Sequence, residues 1–118
     1  MPTVANYVVL EDDDIVLAQA QDVQFNFNAP DLIANASGSN RSMLLLKFNP
    51  NAADARIEIV LNNNQIHTFT SGDGQVRTLN YVLENGELLA SGNTMIIGNR
   101  ATGEFVISNL AVMYKTSI

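Results

Sequence analysis

The segment LLASGNTMIIGN, residues 88–99, breaks a polar passage with a glycine and an asparagine and then restarts as a run that is almost wholly apolar. Gly92 supplies a backbone conformation that residues with a Cβ avoid, so it ends the segment before it. Asn93 can bond a neighbouring main chain while the direction changes. Thr94–Ile97 then reads as a strand apolar on nearly both faces, which is what the centre of a sandwich requires. Gly98–Gly103 turns the chain back.

The same alternation of short apolar runs and polar breaks extends in both directions. Fifteen asparagines, placed mostly between the runs, mark turns, because asparagine tolerates left-handed backbone and suits helix interiors poorly. Ala5–Leu10 and Ile15–Gln19 read as strands around the acidic turn Glu11–Asp14. In DVQFNFN, Val23, Phe25 and Phe27 share one face and Gln24, Asn26 and Asn28 the other, before Pro30 stops the strand. A polar loop is expected over 34–42. Leu44, Leu46 and Phe48 point inward from the next strand; Met43, Leu45 and Lys47 make an opposite face too apolar to be fully wet.

Ile57, Ile59 and Leu61 face the core from ARIEIVLN, and Asn62–Asn64 turns the chain into QIHTFT, where Ile66 and Thr68 share one face and His67 and Phe69 the other. Ser71–Gln75 is a glycine-rich turn, and Asn85–Gly86 after VRTLNYVLE carries the signal of a type I′ hairpin. In the last strand Phe105 and Ile107 share a face, and an irregularity near Ser108–Asn109 would bring Leu110, Val112 and Tyr114 into the same core. The expectation is an all-β jelly-roll sandwich of roughly eight to ten antiparallel strands in two sheets, one domain over residues 1–118.

Composition narrows the function. With 118 residues and 47% hydrophobic side chains the chain can bury a core. A formal net charge of −6 and no cluster of lysine or arginine argue against nucleic acid and against an anionic membrane surface. There is no cysteine, so disulfides, thiolate nucleophiles and cysteine-held zinc are excluded. The first fourteen residues hold neither a basic segment nor a long apolar run, so no signal peptide is expected there. Apolar runs such as Met43–Leu46 are too short to insert in a membrane, and a soluble chain is expected.

The succession LLLKF, ARIEIVLN, LLASGNTMIIGN and FVISNLAVMY, over about Ser42–Lys115, resembles the galactose-binding-like jelly roll of carbohydrate-binding modules and lectin-like domains. The resemblance implies a carbohydrate-binding domain, and a structural calcium near a loop. Glu11–Asp14 would be the place for that ion, but four consecutive carboxylates alternate in direction, and a solvated turn is the simpler reading. No other cofactor is expected.

Sugar binding commonly uses ring faces, yet the chain has no tryptophan and its tyrosines Tyr7, Tyr81 and Tyr114 all lie in strands. Tyr114 shares the parity of Leu110 and Val112 and belongs to the core; Tyr81 stays a ligand candidate. Asn62, Asn63 and Asn64, with His67 and Arg77 near in sequence, offer amide and imidazole bonds to hydroxyls, although a triple asparagine also simply makes a tight turn. His67 is the only histidine, no serine sits in a nucleophile elbow, and Glu58 is a single strand-face carboxylate, so no enzyme is expected. Asn35-Ala-Ser37 and Asn40-Arg-Ser42 match the glycosylation acceptor pattern as asparagine-rich chance would produce.

The leading expectation is a non-catalytic module binding glycans through Asn62, Asn63, Asn64, His67 and Tyr81. The alternative is a structural or assembly subunit whose half-apolar second faces, in SMLLLKF and TMIIG, pair with copies of itself as a homo-oligomer.

Overall fold

The computed structural model describes residues 3–33, 38–51 and 54–117 (of Ser117, the backbone). The described strands are β1 Thr3–Glu11, β2 Ile15–Leu17, β3 Asp22–Phe27, β4 Met43–Pro50, β5 Arg56–Leu61, β6 Asn64–Thr70, β7 Arg77–Val82, β8 Asn93–Asn99 and β9 Phe105–Ser117. They form two antiparallel sheets: a five-stranded one in the order β1-β9-β4-β7, with β2 also on β9, and a four-stranded one in the order β3-β8-β5-β6. This is the jelly-roll β-sandwich that the punctuated alternation predicts. Of the loop expected over 34–42, residues 34–37 lie outside the described residues, and with them the acceptor at Asn35; Gly38–Asn40 is a short 3₁₀ turn. Among the described residues no helix is long and apolar enough to cross a membrane.

The inner faces follow the period-2 pattern. Leu44, Leu46 and Phe48 from one sheet meet Ile57, Ile59 and Leu61 from the other, and all six are buried. β8 lies between β3 and β5, so Met95 and Ile97 are fully buried, as a central strand demands. Phe48 anchors the packing, with Phe105 at 5.0 Å and Phe69 edge-on at 5.9 Å between ring centroids.

The irregularity in β9 falls where expected. Leu45 pairs with Ala111 and Lys47 with Ser108, so β9 holds one more residue than β4 across that step. Asn109 takes it up at φ 53°, and Leu110, Val112 and Tyr114 return to the core. Asn109 itself is exposed, so its conformation is the only thing it contributes. Asn109→Val should therefore cost about 1–2 kcal/mol of unfolding free energy in denaturant melts, while Asn109→Gly stays within about 0.5 kcal/mol.

Two local expectations need correction. Asn85–Gly86 is not a type I′ hairpin. Gly86 alone has positive φ (90°), and the Glu87 N–H donates to the Glu84 carbonyl at 3.1 Å, the sign pattern of a type II turn. The chain after it enters β8 of the opposite sheet; only β1–β2 and β5–β6 connect within one sheet.

The second correction concerns β6: His67 and Phe69 share a face as expected, but Ile66 does not share the face of Thr68, which pairs with Glu58. Phe69 pairs with Ile57 and His67 with Ile59, which turns both rings toward the interior. A register shift between Ile59 and Val60 makes Ile66 the extra residue, and it too is buried. The face holding His67 and Phe69 is thus the inner one.

Candidate functional site

Asparagines clamp both ends of β8. At its start, Asn93 is 1% exposed; its Nδ2 donates to the Leu89 carbonyl at 2.7 Å, and its Oδ1 accepts from Leu89 N–H and from Asn62 Nδ2, each at 2.9 Å. Asn62 completes the knot, donating to the Glu87 carbonyl and accepting from Thr94 N–H at 2.9 Å. At the other end Asn99, fully buried, donates to the carbonyls of Leu17 and Gly103 and accepts from Ala101 N–H. These amides are spent on holding strand ends, and burial makes each bond costly to lose.

Asn62 therefore differs from the ligand contact expected of it, because protein groups already occupy both its donor and its acceptor. Asn62 and Asn63 have φ of 51° and 68°, the backbone of a tight turn, and Asn63 and Asn64 stay exposed.

Beside this knot, where β3 ends and β8 begins, lies a notch of about 320 Å³ lined by Asn26, Phe27, Asn28, Gly92, Asn93 and Thr94. Its polar groups are already oriented. Asn26 Oδ1 accepts from Gln24 Nε2 at 3.2 Å and from Thr94 Oγ1 at 3.3 Å, and Asn28 Oδ1 accepts from Gly92 N–H at 2.9 Å. Among the described residues nothing accepts from Nδ2 of Asn26 or Asn28, so both present free donors at an exposed position. The sequence placed Asn26 and Asn28 on the wet face of their strand; it did not place them against Gly92 and Thr94, which follow more than sixty residues later.

His67 and Tyr81 come together elsewhere, at the edge where β6 and β7 oppose each other across the sandwich. Their rings are 5.8 Å apart and tilted by 48°, both half-buried. Alongside, the Arg77 guanidinium lies 4.9 Å over Phe69, and its Nη2 pairs with Asp73 at 2.6 Å. Arg77 Nε is buried without a partner among the described residues. Burial raises the Tyr81 hydroxyl above its ordinary range, with Glu87 and Glu84 adding to it. Burial also lowers His67 below the usual imidazole value.

The sign of that shift fixes a pH dependence. A histidine whose folded pKa lies below its unfolded value binds protons more readily in the unfolded state, so stability is lost as pH falls below about 6.5 toward the lowered pKa. Urea melts between pH 7 and 5 should show this loss, and His67→Gln should reduce it.

The outer face of the four-stranded sheet carries one charged knot. Arg100 bridges Asp22 at 2.6 Å and Glu58 at 3.3 Å, crossing over Gly98, which leaves room for it. Glu58, the strand-face carboxylate, is thus an ion-pair partner. The carboxylates of Glu11, Asp12 and Asp13 lie within 4.8 Å of one another. They are three ligands from one turn, and Asp13 N–H already donates to Glu11 Oε1. Calcium takes six to eight oxygens, so this donor set does not make a calcium site by itself.

No protein-family model matches the chain, and no curated protein matches it. Solved structures do. A beta-porphyranase of glycoside hydrolase family 86 from the human gut bacterium Bacteroides plebeius superposes with a TM-score of 0.67 at 14% identity, over 98% of this chain and 21% of that one. A mutant of a carbohydrate binding module of family 29 gives 0.60 at 11% identity, over 97% of this chain and 94% of that one. The CBM36-1 domain of a multidomain xylanase from the hindgut metagenome of Trinervitermes trinervoides gives 0.55 at 13%, over 98% and 100%. The chain spans only 21% of the porphyranase but essentially the whole of the two binding modules. The fold is that of the carbohydrate-binding-module sandwiches, from end to end of the described chain.

Proposed function

We propose that this protein is a non-catalytic carbohydrate-binding module that takes sugar hydroxyls in the Asn26–Asn28–Thr94 notch. The observation that carries the reading is the pair of free, pre-oriented amide donors at the mouth of a concave site. Their acceptors are held by Gly92, Thr94 and Gln24, so little side-chain freedom remains to be lost when a hydroxyl binds. The notch volume falls in the range of about 300–1,000 Å³ usual for small-ligand sites. The sandwich shared with whole binding modules supports the same class.

Asn63 and Asn64, exposed on the β5–β6 turn, offer further amides to a glycan outside the notch. His67 and Tyr81 supply a secondary ring surface at the β6–β7 edge, where a sugar's C–H face can rest.

A broad glycan array, screened at protein concentrations approaching millimolar and followed by calorimetry, tests the reading. Binding of at least one glycan is expected. Asn26→Ala and Asn28→Ala should each weaken it by about fivefold, one hydrogen bond of roughly 1 kcal/mol apiece. Tyr81→Ala should weaken it by less, about two- to threefold, as a single peripheral contact would. An array without a single bound glycan overturns the proposal.

A further inference from the structure

The two outer faces of the sandwich differ in a way that glycan binding at the notch does not use. The four-stranded sheet shows Gln24, Asn26 and Thr94 with the Asp22–Arg100–Glu58 knot. Its strand TMIIG, one of the two second faces marked in the sequence, therefore lies among polar neighbours. The five-stranded sheet shows two apolar rows instead. Register pairs Tyr7 with Met113, Met113 with Met43 and Met43 with Val82, one row crossing four strands. The adjacent row runs Val9, Ala111, Leu45 and then Asn80.

Tyr7, Val9 and Val82 are 59%, 63% and 45% exposed, so these rows are wet in the isolated chain. An isolated exposed valine needs no account; a continuous band across a whole sheet does.

Charge selects the occupant. The chain carries twelve acidic and six basic residues, yet on this face alternation leaves only two charges among the described residues, Lys47 and Lys115. Lys115 sits opposite Ala5 at one end of β1, and the acidic turn Glu11–Asp14 follows β1 at its other end. These ends lie roughly 20 Å apart at about 3.4 Å per residue. When two copies stack this face antiparallel on a two-fold axis lying across the strands, each copy's Lys115 meets the end of the second copy that bears its acidic turn. The four carboxylates there outnumber the Lys47 that shares that end. The apolar rows meet in the middle, as the inner faces of a sandwich do.

We propose that the outer face of the five-stranded sheet is a self-association surface, occupied by a second copy of this chain in an antiparallel, two-fold arrangement. The band is about four strands, ~19 Å, across and falls short of the roughly 800 Å² per partner of a standard interface, which makes the dimer a weak, concentration-dependent one.

Sedimentation equilibrium of the full chain from about 10 μM to 1 mM tests this; such small interfaces dissociate in the micromolar-to-millimolar range. A monomer–dimer equilibrium is expected. Tyr7→Lys and Val9→Lys, both at exposed positions, should raise the dissociation constant at least tenfold, and Thr70→Lys, exposed on β6 of the other sheet, should leave it unchanged. Raising salt should weaken association by screening the lysine–carboxylate pairs. A monomer at every concentration, or a dimer indifferent to Tyr7→Lys and Val9→Lys, overturns the proposal. Neither result depends on whether the notch binds a glycan.

Discussion

Asn93→Ala is expected to lower the unfolding free energy by about 3–4 kcal/mol, a fall in Tm of roughly 12–16 °C for a chain of this size. The substitution strands three groups at once: the N–H and the carbonyl of Leu89, and Nδ2 of Asn62. Their partner Asn93 is 1% exposed, so the groups that faced its amide lose their bonds and regain hydration only in part. A conservative variant separates hydrogen bonding from packing. Asn93→Asp keeps the volume and both acceptor roles but sets a carboxylate oxygen against the Leu89 carbonyl where the amide donated. Its destabilisation should be large near neutral pH and smaller in acid, where a protonated carboxyl can donate again. Equal destabilisation of Asn93→Asp relative to the parent at both pH values would show that the donor contributes nothing.

The second large effect is Phe48→Ala, expected to cost about 3–5 kcal/mol. Phe48 is fully buried and touches two rings, Phe105 in its own sheet and Phe69 in the opposite one, with Arg77 capping Phe69. Removing the ring leaves a cavity between the sheets beside the β6–β7 edge. Phe48→Leu, which fills most of that space, should cost less than about 1.5–2 kcal/mol. Chemical denaturation of both variants measures the difference. An alanine variant within about 1 kcal/mol of the parent would mean that the sheets close over the gap, contrary to the stiffness expected of a close-packed interior. Because Phe69 rests on Phe48, the alanine variant should also disorder the His67–Tyr81 contact and raise the His67 pKa toward its ordinary value as the ring becomes wetter.

The contrast between Asn93 and Asn62 on one side and Asn26 and Asn28 on the other shows why the candidate site was only half legible. All four are asparagines next to apolar strands, and local pattern treats them alike. The first pair is consumed by backbone groups brought in from Leu89, Glu87 and Thr94, while the second keeps its donors free. Nothing within a few residues of Asn62 announces that Asn93 will stand 2.9 Å away. His67 and Tyr81 are separate candidates in the sequence, and only the opposition of β6 and β7 brings their rings together; the bulge at Ile66 has no turn residue to signal it.

What the amino-acid sequence by itself determined was the set of strands, the inner faces of all but β6, and the bulge at Asn109. Those depend on a two-residue period and on residues that tolerate positive φ, both written within a few neighbouring positions. What only the tertiary structure decided was partnership: which strands adjoin, that Asn85–Gly86 leads across to the opposite sheet, and which amides are spent and which stay free. Pairing joins residues far apart in the chain through backbone groups that every residue carries alike, so it is decided by the closing of two sheets around one core.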